Sequence, residues 1–364
     1  MNVCIIGDGL TSLSLAKNLI NKKINVHIYH KYITNNLSSS RTIGISKDNL
    51  DFFKKEIHNV SKKITWEIKK IEIYSEKLNQ KILNFEDDKN NLFYMVQNNE
   101  IYKSLSKKLS KDKLFKKSLI KQSNFYENLL KKNNYDLIIN CDQENVISRK
   151  YFNKKIDKDY KNLAYTSIIE HEKLENTSAV QVFTSLGPIA FLPISNTKTS
   201  VVCSIDIKNK NYSDSEILEL INKHNPKFKI KKTLKLSNFK LRSSNLRNYY
   251  HKNILAFGDM LHKIHPLAGQ GFNMTLRDIK ILSEIIQDKI DLGLQLDILV
   301  LEEFQKKTKN KNFIFSNGID FIYEYFNFDR KIKKKSLNKI LKLFGMNKKF
   351  MNSIVKLADK GLRT

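Results

Sequence analysis

Two stretches carry residue types and spacings suited to holding a phosphate-bearing group. The first is Gly7, Asp8, Gly9, Leu10, Thr11 and Ser12, which follows a short apolar run at 3–6 and precedes apolar residues at helical spacing over 10–20. A second apolar strand at 25–29 completes a strand, turn, helix, strand order, in which backbone N–H groups at the helix start face a pyrophosphate. A lone GxGxxS fits many turns, so this signal is weak by itself. The second stretch runs from Gly258 and Asp259 through His262, His265 and Pro266 to Gly269, Gln270, Gly271 and Asn273. Here a strand ends, an acid points toward a crevice, and a Gly-Gln-Gly turn bares N–H groups at a helix start that carries roughly half a positive charge. The plainer reading is a strand, loop and helix with ordinary turn glycines and two incidental histidines. No metal site is expected, because Pro266 and the glycines make the His262 and His265 spacing a loop and no acid is adjacent to them in sequence.

These stretches need a framework to bring them together. At 364 residues the chain is long enough for one large α/β unit or two joined domains. Residues 53–91 are polar, with strand-like alternation at 64–74, and read as an insertion. Helical periodicity returns at 100–110, and 135–140 is a continuous apolar strand of a buried parallel sheet. Three β-rich runs at 163–170, 179–194 and 200–207 precede a capping box at Ser213 and Glu216, which predicts an antiparallel sheet covered by one helix. A strand at 251–257 leads into Gly258, and from Gly271 the pattern is helical, broken near 291–293. The division expected is a discontinuous nucleotide-binding domain (1–52, 92–158, 245–300), a substrate domain (53–91, 159–244) and a helical C-terminal region (301–364).

Composition narrows the function classes. The net charge is +28, yet only seven of the 65 basic residues are Arg, and lysine is spread over every polar segment. Nucleic-acid sites favour Arg and aromatic residues on one face, so nucleic acid is not an expected partner. The densest basic block, 331–335 with Lys339, Lys342, Lys348 and Lys349, lies among apolar residues of the tail and suits an anionic membrane surface as well as a solvated helix face. No run of eighteen apolar residues predicts a transmembrane helix. The N-terminus lacks a basic signal-peptide region, so a cytoplasmic protein with peripheral contact to the inner membrane is expected. Cys4, Cys141 and Cys203 lie in or at the ends of apolar runs without ligand spacing, and read as buried free thiols.

The second stretch resembles the GD motif of the para-hydroxybenzoate-hydroxylase class of flavin monooxygenases. Within that class the chain is most similar to the ubiquinone-biosynthesis hydroxylases, and the resemblance extends over nearly all of it. Residues 7–12 match the first glycine turn. Residues 41–46 look like the Arg-containing segment after the second strand, and 94–98 the segment before a flavin-approaching helix. Residues 135–149 look like the DG segment, and 187–193 match the substrate-domain strand. The resemblance implies a Rossmann-type fold of that class with an inserted antiparallel substrate domain and a helical tail. It implies FAD as cofactor, NADH or NADPH as reductant, O₂, and hydroxylation of a prenylated phenol in ubiquinone biosynthesis through a flavin hydroperoxide, beside other proteins of that pathway. Gly7, Gly9, Ser12, His30, Arg41, Gln97, Asp142, Asp259, Pro266, Gly269, Gln270, Gly271 and Asn273 would hold FAD, with Pro266 near its reacting edge. Phe191 and Leu192 are candidates for the apolar wall over the substrate ring, or plain sheet core. No protein nucleophile is expected.

Three residues depart from that pattern. Ser12 stands where the third glycine packs helix on strand, a modest cost for so small a side chain. His30 stands where an acid holds the adenosine ribose, and a neutral imidazole accepts one hydrogen bond where a carboxylate accepts several. Gln143 replaces the DG glycine, at a cost of about 1 kcal/mol if that position needs a positive φ. His30 and Gln143 keep open a non-catalytic assembly partner that retains the fold. A polyprenyl reductase of the same fold is a further alternative, whereas a halogenase is disfavoured by the single Trp66.

Overall fold

The computed structural model describes residues 1–31, 41–76, 81–86, 91–122, 124–131, 134–207, 210, 212–264 and 270–332, without the side chains of 81–83, 85, 322, 323 and 325–332. His265, Pro266, Gly269 and the basic tail after 332 lie outside them.

The apolar runs at 3–6 and 137–139 become neighbouring central strands because both faces of their sheet are covered, which leaves no polar side to alternate with. Asn2–Ile6 pairs in parallel with Asn25–His30 on one side and Leu137–Asn140 on the other. Phe115–Leu119 and Ile254–Ala256 extend the sheet in parallel at its two ends. Helix Leu10–Asn21 buries Leu13, Leu15, Ala16 and Leu19, and helix Asn98–Leu109 buries Ile101, Leu105 and Leu109, in one core with Val3, Ile5, Leu137 and Ile139. The strand predicted at 251–257 is a hairpin, Tyr250–His251 and Ile254–Ala256, turned at Lys252, whose φ is 52°.

The second sheet is built on the long strand Lys155–His171, which pairs antiparallel with Lys198–Asp206 and Ser237–Leu246. Pro188–Pro193 and Ser178–Phe183 follow outward, then Lys70–Ser75 and Lys81–Glu86. The sheet is not purely antiparallel, since Ser178–Phe183 runs parallel to Lys70–Ser75. The capping box at Ser213 and Glu216 forms, and helix Asp214–Lys223 seats Ile217 and Ile221 on one face of the sheet.

A three-stranded sheet of Thr42–Ser46, Phe93–Gln97 and Thr65–Ile68 touches both larger sheets. Its Met95 and Ile68 pack on Ala179 and Leu192, and Thr42 Oγ1 donates to Ser200 Oγ at 2.8 Å. The alternation at 64–74 therefore resolves into two strands in different sheets. The expected boundaries at 158 and 245 fall inside the strands Lys155–His171 and Ser237–Leu246, so the parts are joined by continuous strands. After Gln270–Asp291, helix Ile298–Ile332 bonds to segments flanking both sheets: Gln305 Oε1 accepts from Tyr249 N at 2.7 Å, and Asn245 Nδ2 donates to Ser316 Oγ at 2.9 Å.

Candidate functional site

The first turn leaves its strand at Gly7, whose φ of +103° disfavours any L side chain and whose N–H bonds Tyr29 O at 2.7 Å. Gly9 is the N-cap of Leu10–Asn21 and supplies no side-chain cap. A Cβ built on Gly9 meets no atom within 4 Å. The helix start thus offers bare N–H groups and open space above them, the two things a diphosphate needs. Ser12, buried, takes the tight position where the thiol of Cys141 faces its hydroxyl. Cys141 is half-buried, where Cys4 and Cys203 are buried as expected, and desolvation of its thiol pushes its pKa up to about 12.

The GD segment meets this turn directly. Gly258 has φ +67° and a Cβ there would lie 2.7 Å from Thr11 Cγ2, so the contact between the two motifs requires glycine. Asp259 is exposed, and its carbonyl accepts from Gln143 Nε2 at 2.6 Å. Gln143 is not among the positive-φ residues. The cost expected for replacing a DG glycine does not arise, and the glutamine ties the DG segment to the GD segment instead. Asp142 Oδ1 accepts from Glu144 N at 2.9 Å, which shapes the turn after Leu137–Asn140.

Arg41 and Gln97 lie at adjacent ends of the small sheet, where Arg41 O accepts from Asn98 N at 3.0 Å and Thr42 pairs with Gln97. Gln270 begins its helix and accepts from Arg277 Nη2 at 3.3 Å, while a Cβ on Gly271 would meet nothing within 4 Å. Asn273, expected to touch the cofactor, is buried and clamps the helix to the small sheet: it donates to Gly44 O at 2.9 Å and accepts from Ser46 N at 2.9 Å and Asn49 Nδ2 at 3.1 Å. These bonds join the start of the helix that carries Gly271 to the strand Thr42–Ser46.

His262 does have an acidic partner, sixteen residues on rather than adjacent. Its Nε2 lies 2.5 Å from Asp278 Oδ2, both side chains are buried, and Asp278 Oδ1 accepts from Asn312 Nδ2 at 3.0 Å. The pair joins the GD segment to both C-terminal helices. Among the described residues no cluster of three metal-ligating side chains exists.

Phe191 and Leu192 point to opposite faces, as strand neighbours must. Phe191 is wholly buried beneath the covering helix, beside Phe228. Leu192 faces Trp66, Phe93 and the small sheet. Partly exposed positions sharing Leu192's face include Ala190, Val202, Thr166 and Gln181, joined across the sheet by register. None of these four stands out in the sequence. Their alternation with buried partners was the available signal, obscured because both faces of the strands are largely apolar.

The family model for squalene epoxidase matches residues 135–360, more than half of the chain. Curated relatives include the mitochondrial ubiquinone biosynthesis monooxygenase COQ6 of Dictyostelium discoideum, 26% identical over 183 residues, which cover 40% of this chain and 37% of the relative. The 3-demethoxyubiquinol 3-hydroxylase of Escherichia coli is 30% identical over 164 residues, covering 43% and 42%. The match thus spans about two-fifths of the length of these relatives. Solved structures are similar over the whole chain. The p-nitrophenol 4-monooxygenase PnpA of Pseudomonas putida has a TM-score of 0.77 at 13% identity, covering 100% of this chain and 98% of that one. Klebsiella pneumoniae HpxO, in a complex with FAD and uric acid, has 0.73 at 10%, covering 98% and 96%. At such identities the likeness shows the fold, the α/β architecture of flavin monooxygenases.

Proposed function

The chain belongs to the squalene epoxidase family, and from that premise we propose that it is an FAD-dependent hydroxylase acting on a prenylated phenol of ubiquinone biosynthesis, with NADH or NADPH as reductant and O₂ as oxidant. The observation that carries this reading is the junction of the two glycine turns: Gly258 seated on Thr11, with bare backbone and open space at Gly9 and Gly271. Such a junction would suit a dinucleotide whose diphosphate lies at one helix start and whose ring lies at the other. The names of the curated relatives support the substrate class.

The flavin supplies the redox chemistry and the activation of O₂. This chain's residues would do the rest. Gly7 and Gly9 hold the diphosphate, Asp259 accepts from ribityl hydroxyls, and Arg41 and Gln97 border the ring from the small sheet. Gln270 and Gly271 present a helix start that would stabilise negative charge on the reduced ring, while the expected roles of Gly269 and Pro266 lie outside the described residues. Leu192, Ala190 and Val202 form the apolar side from which water is excluded. The residue groups 1–52, 92–158 and 245–300 hold the cofactor in this reading, and 53–91 with 159–244 hold the substrate. Phe313, Ile314 and Phe321 are exposed on the last helix, which supports a peripheral membrane contact with anionic lipid; among the described residues no helix is long and apolar enough to cross a membrane.

The test is an absorbance spectrum of the purified protein followed by complementation of strains each lacking one ring hydroxylase, with quinone intermediates read by mass spectrometry. Flavin bands and rescue of one strain support the reading and identify the ring position. Failure in every strain without bound flavin would replace it with the assembly-partner reading, and flavin without hydroxylation would point to a reductase.

A further inference from the structure

The place where a ribose-binding acid is absent has a carboxylate beside it. His30 ends the second strand, and its Nδ1 lies 3.8 Å from Asp8 Oδ2. Asp8 is the residue between the two glycines of the first turn, and it is buried. The same oxygen lies 2.9 Å from Lys117 Nζ, on the neighbouring parallel strand, and 3.4 Å from the Tyr102 hydroxyl, which donates to it. Turn, second strand, edge strand and helix Asn98–Leu109 thus each contribute one polar group to a single cluster.

A carboxylate in a diphosphate-binding turn is an electrostatic fault unless it is neutralised, because it would repel two phosphates at close range. Lys117 supplies that neutralisation. Burial works against its charge, but the bond to Asp8 and its negative field outweigh burial and hold the lysine pKa above the ordinary range. An ion pair at a strand end also presents an acceptor and a donor side by side, which matches a vicinal diol, whose hydroxyls each donate and accept.

We propose that Asp8, Lys117 and His30 together form the ribose subsite of the nucleotide, with Asp8 accepting from the 2′,3′-diol, Lys117 donating to it and cancelling the carboxylate's charge toward the diphosphate, and His30 closing the outer edge. The acceptor role has moved from the end of the second strand into the turn. This rests on the flavin reading above, and it concerns only the adenosine end.

The test uses the full chain stripped of flavin, titrated with FAD, FMN and ADP by calorimetry. Asp8→Asn and Lys117→Met are expected to weaken FAD and ADP at least ten-fold while FMN, which lacks the adenosine, changes less than two-fold. Equal FAD-to-FMN ratios in wild type and both variants would overturn the subsite while leaving the flavin reading standing. A wild-type chain that binds none of the three overturns both. Should Asp8→Asn fail to fold, His30→Ala at the strand end carries the test, with a smaller loss of FAD and ADP expected in the same direction.

Discussion

Asp278→Asn is the perturbation whose cost follows most directly from the structure. Asp278 receives two donors, His262 Nε2 at 2.5 Å and Asn312 Nδ2 at 3.0 Å, and all three side chains are buried. An asparagine keeps the shape but has one acceptor oxygen, so its NH₂ must face one of the two donors. The loss is one buried hydrogen bond to a carboxylate and one buried donor left unmatched, together about 3 kcal/mol. For a chain of this size that is a fall in Tm of about 4 °C. The assay is urea unfolding of the flavin-free protein, with Asn312→Leu and the double variant completing a cycle. Because Asn312 and Asp278 share one bond, the double variant should cost less than the sum by at least about 0.5 kcal/mol. A Asp278→Asn chain within about 0.5 kcal/mol of wild type, or an additive cycle, would refute the network as a structural tie.

Other outcomes follow from the same geometry. Asp259→Ala, at an exposed side chain whose backbone carbonyl carries the bond to Gln143, should lose flavin in gel filtration with its melting temperature in the flavin-free state unchanged. Gly271→Val should fold normally, since a Cβ there meets no protein atom within 4 Å, yet bind no flavin; an active variant would show the ring lies elsewhere. His27, held neutral at about 4 by burial and then by Lys116, stacks on Tyr29 and bonds Tyr135 and Ser118. Between pH 6.5 and 4 the unfolded chain binds a proton there that the folded chain refuses, so stability should fall with acid across that window. His27→Gln should flatten part of the slope in urea midpoints, with His58 and His224, also lowered chiefly by burial, supplying the remainder. Truncation before residue 331 should abolish salt-sensitive co-sedimentation with anionic vesicles; binding that survives truncation unchanged would assign the lipid contact to another surface.

Much of the frame was legible because it is written in local periodicity. The buried parallel strands read as uninterrupted apolar runs, the capping box announced its helix, and Gly293 with φ 68° marks the break foreseen between the last two helices. What could not be read depends on pairing between distant segments. The parallel register of Ser178–Phe183 against Lys70–Ser75 joins positions over one hundred residues apart, and alternation says only that a strand exists. Phe191 and Leu192 illustrate the limit: a strand with apolar residues on both faces does not declare which face the covering helix takes, and only Ile217 and Ile221 settle it. Asn273 shows another, since an amide beside a glycine turn can serve a ligand or its own fold, and its bonds to Gly44, Ser46 and Asn49 depend on segments more than two hundred residues away.

The two departures that counted against a working cofactor site change meaning once neighbours are known. Judged by position, Gln143 lacks a glycine's conformational freedom; in the fold its φ is not positive and its amide bonds Asp259 O, so the substitution adds a tie between two motifs that must stay in register. Judged by position, His30 lacks a carboxylate; in the fold Asp8 lies 3.8 Å away and brings its own counter-charge in Lys117. A site decaying without function would be expected to leave such a buried carboxylate unpaired, because removal of a ligand removes the reason to keep it matched. Here the buried acid in the glycine turn is matched by a lysine on the edge strand at 2.9 Å, with the histidine 3.8 Å from the same oxygen. That pairing weighs toward a chain that still binds a nucleotide.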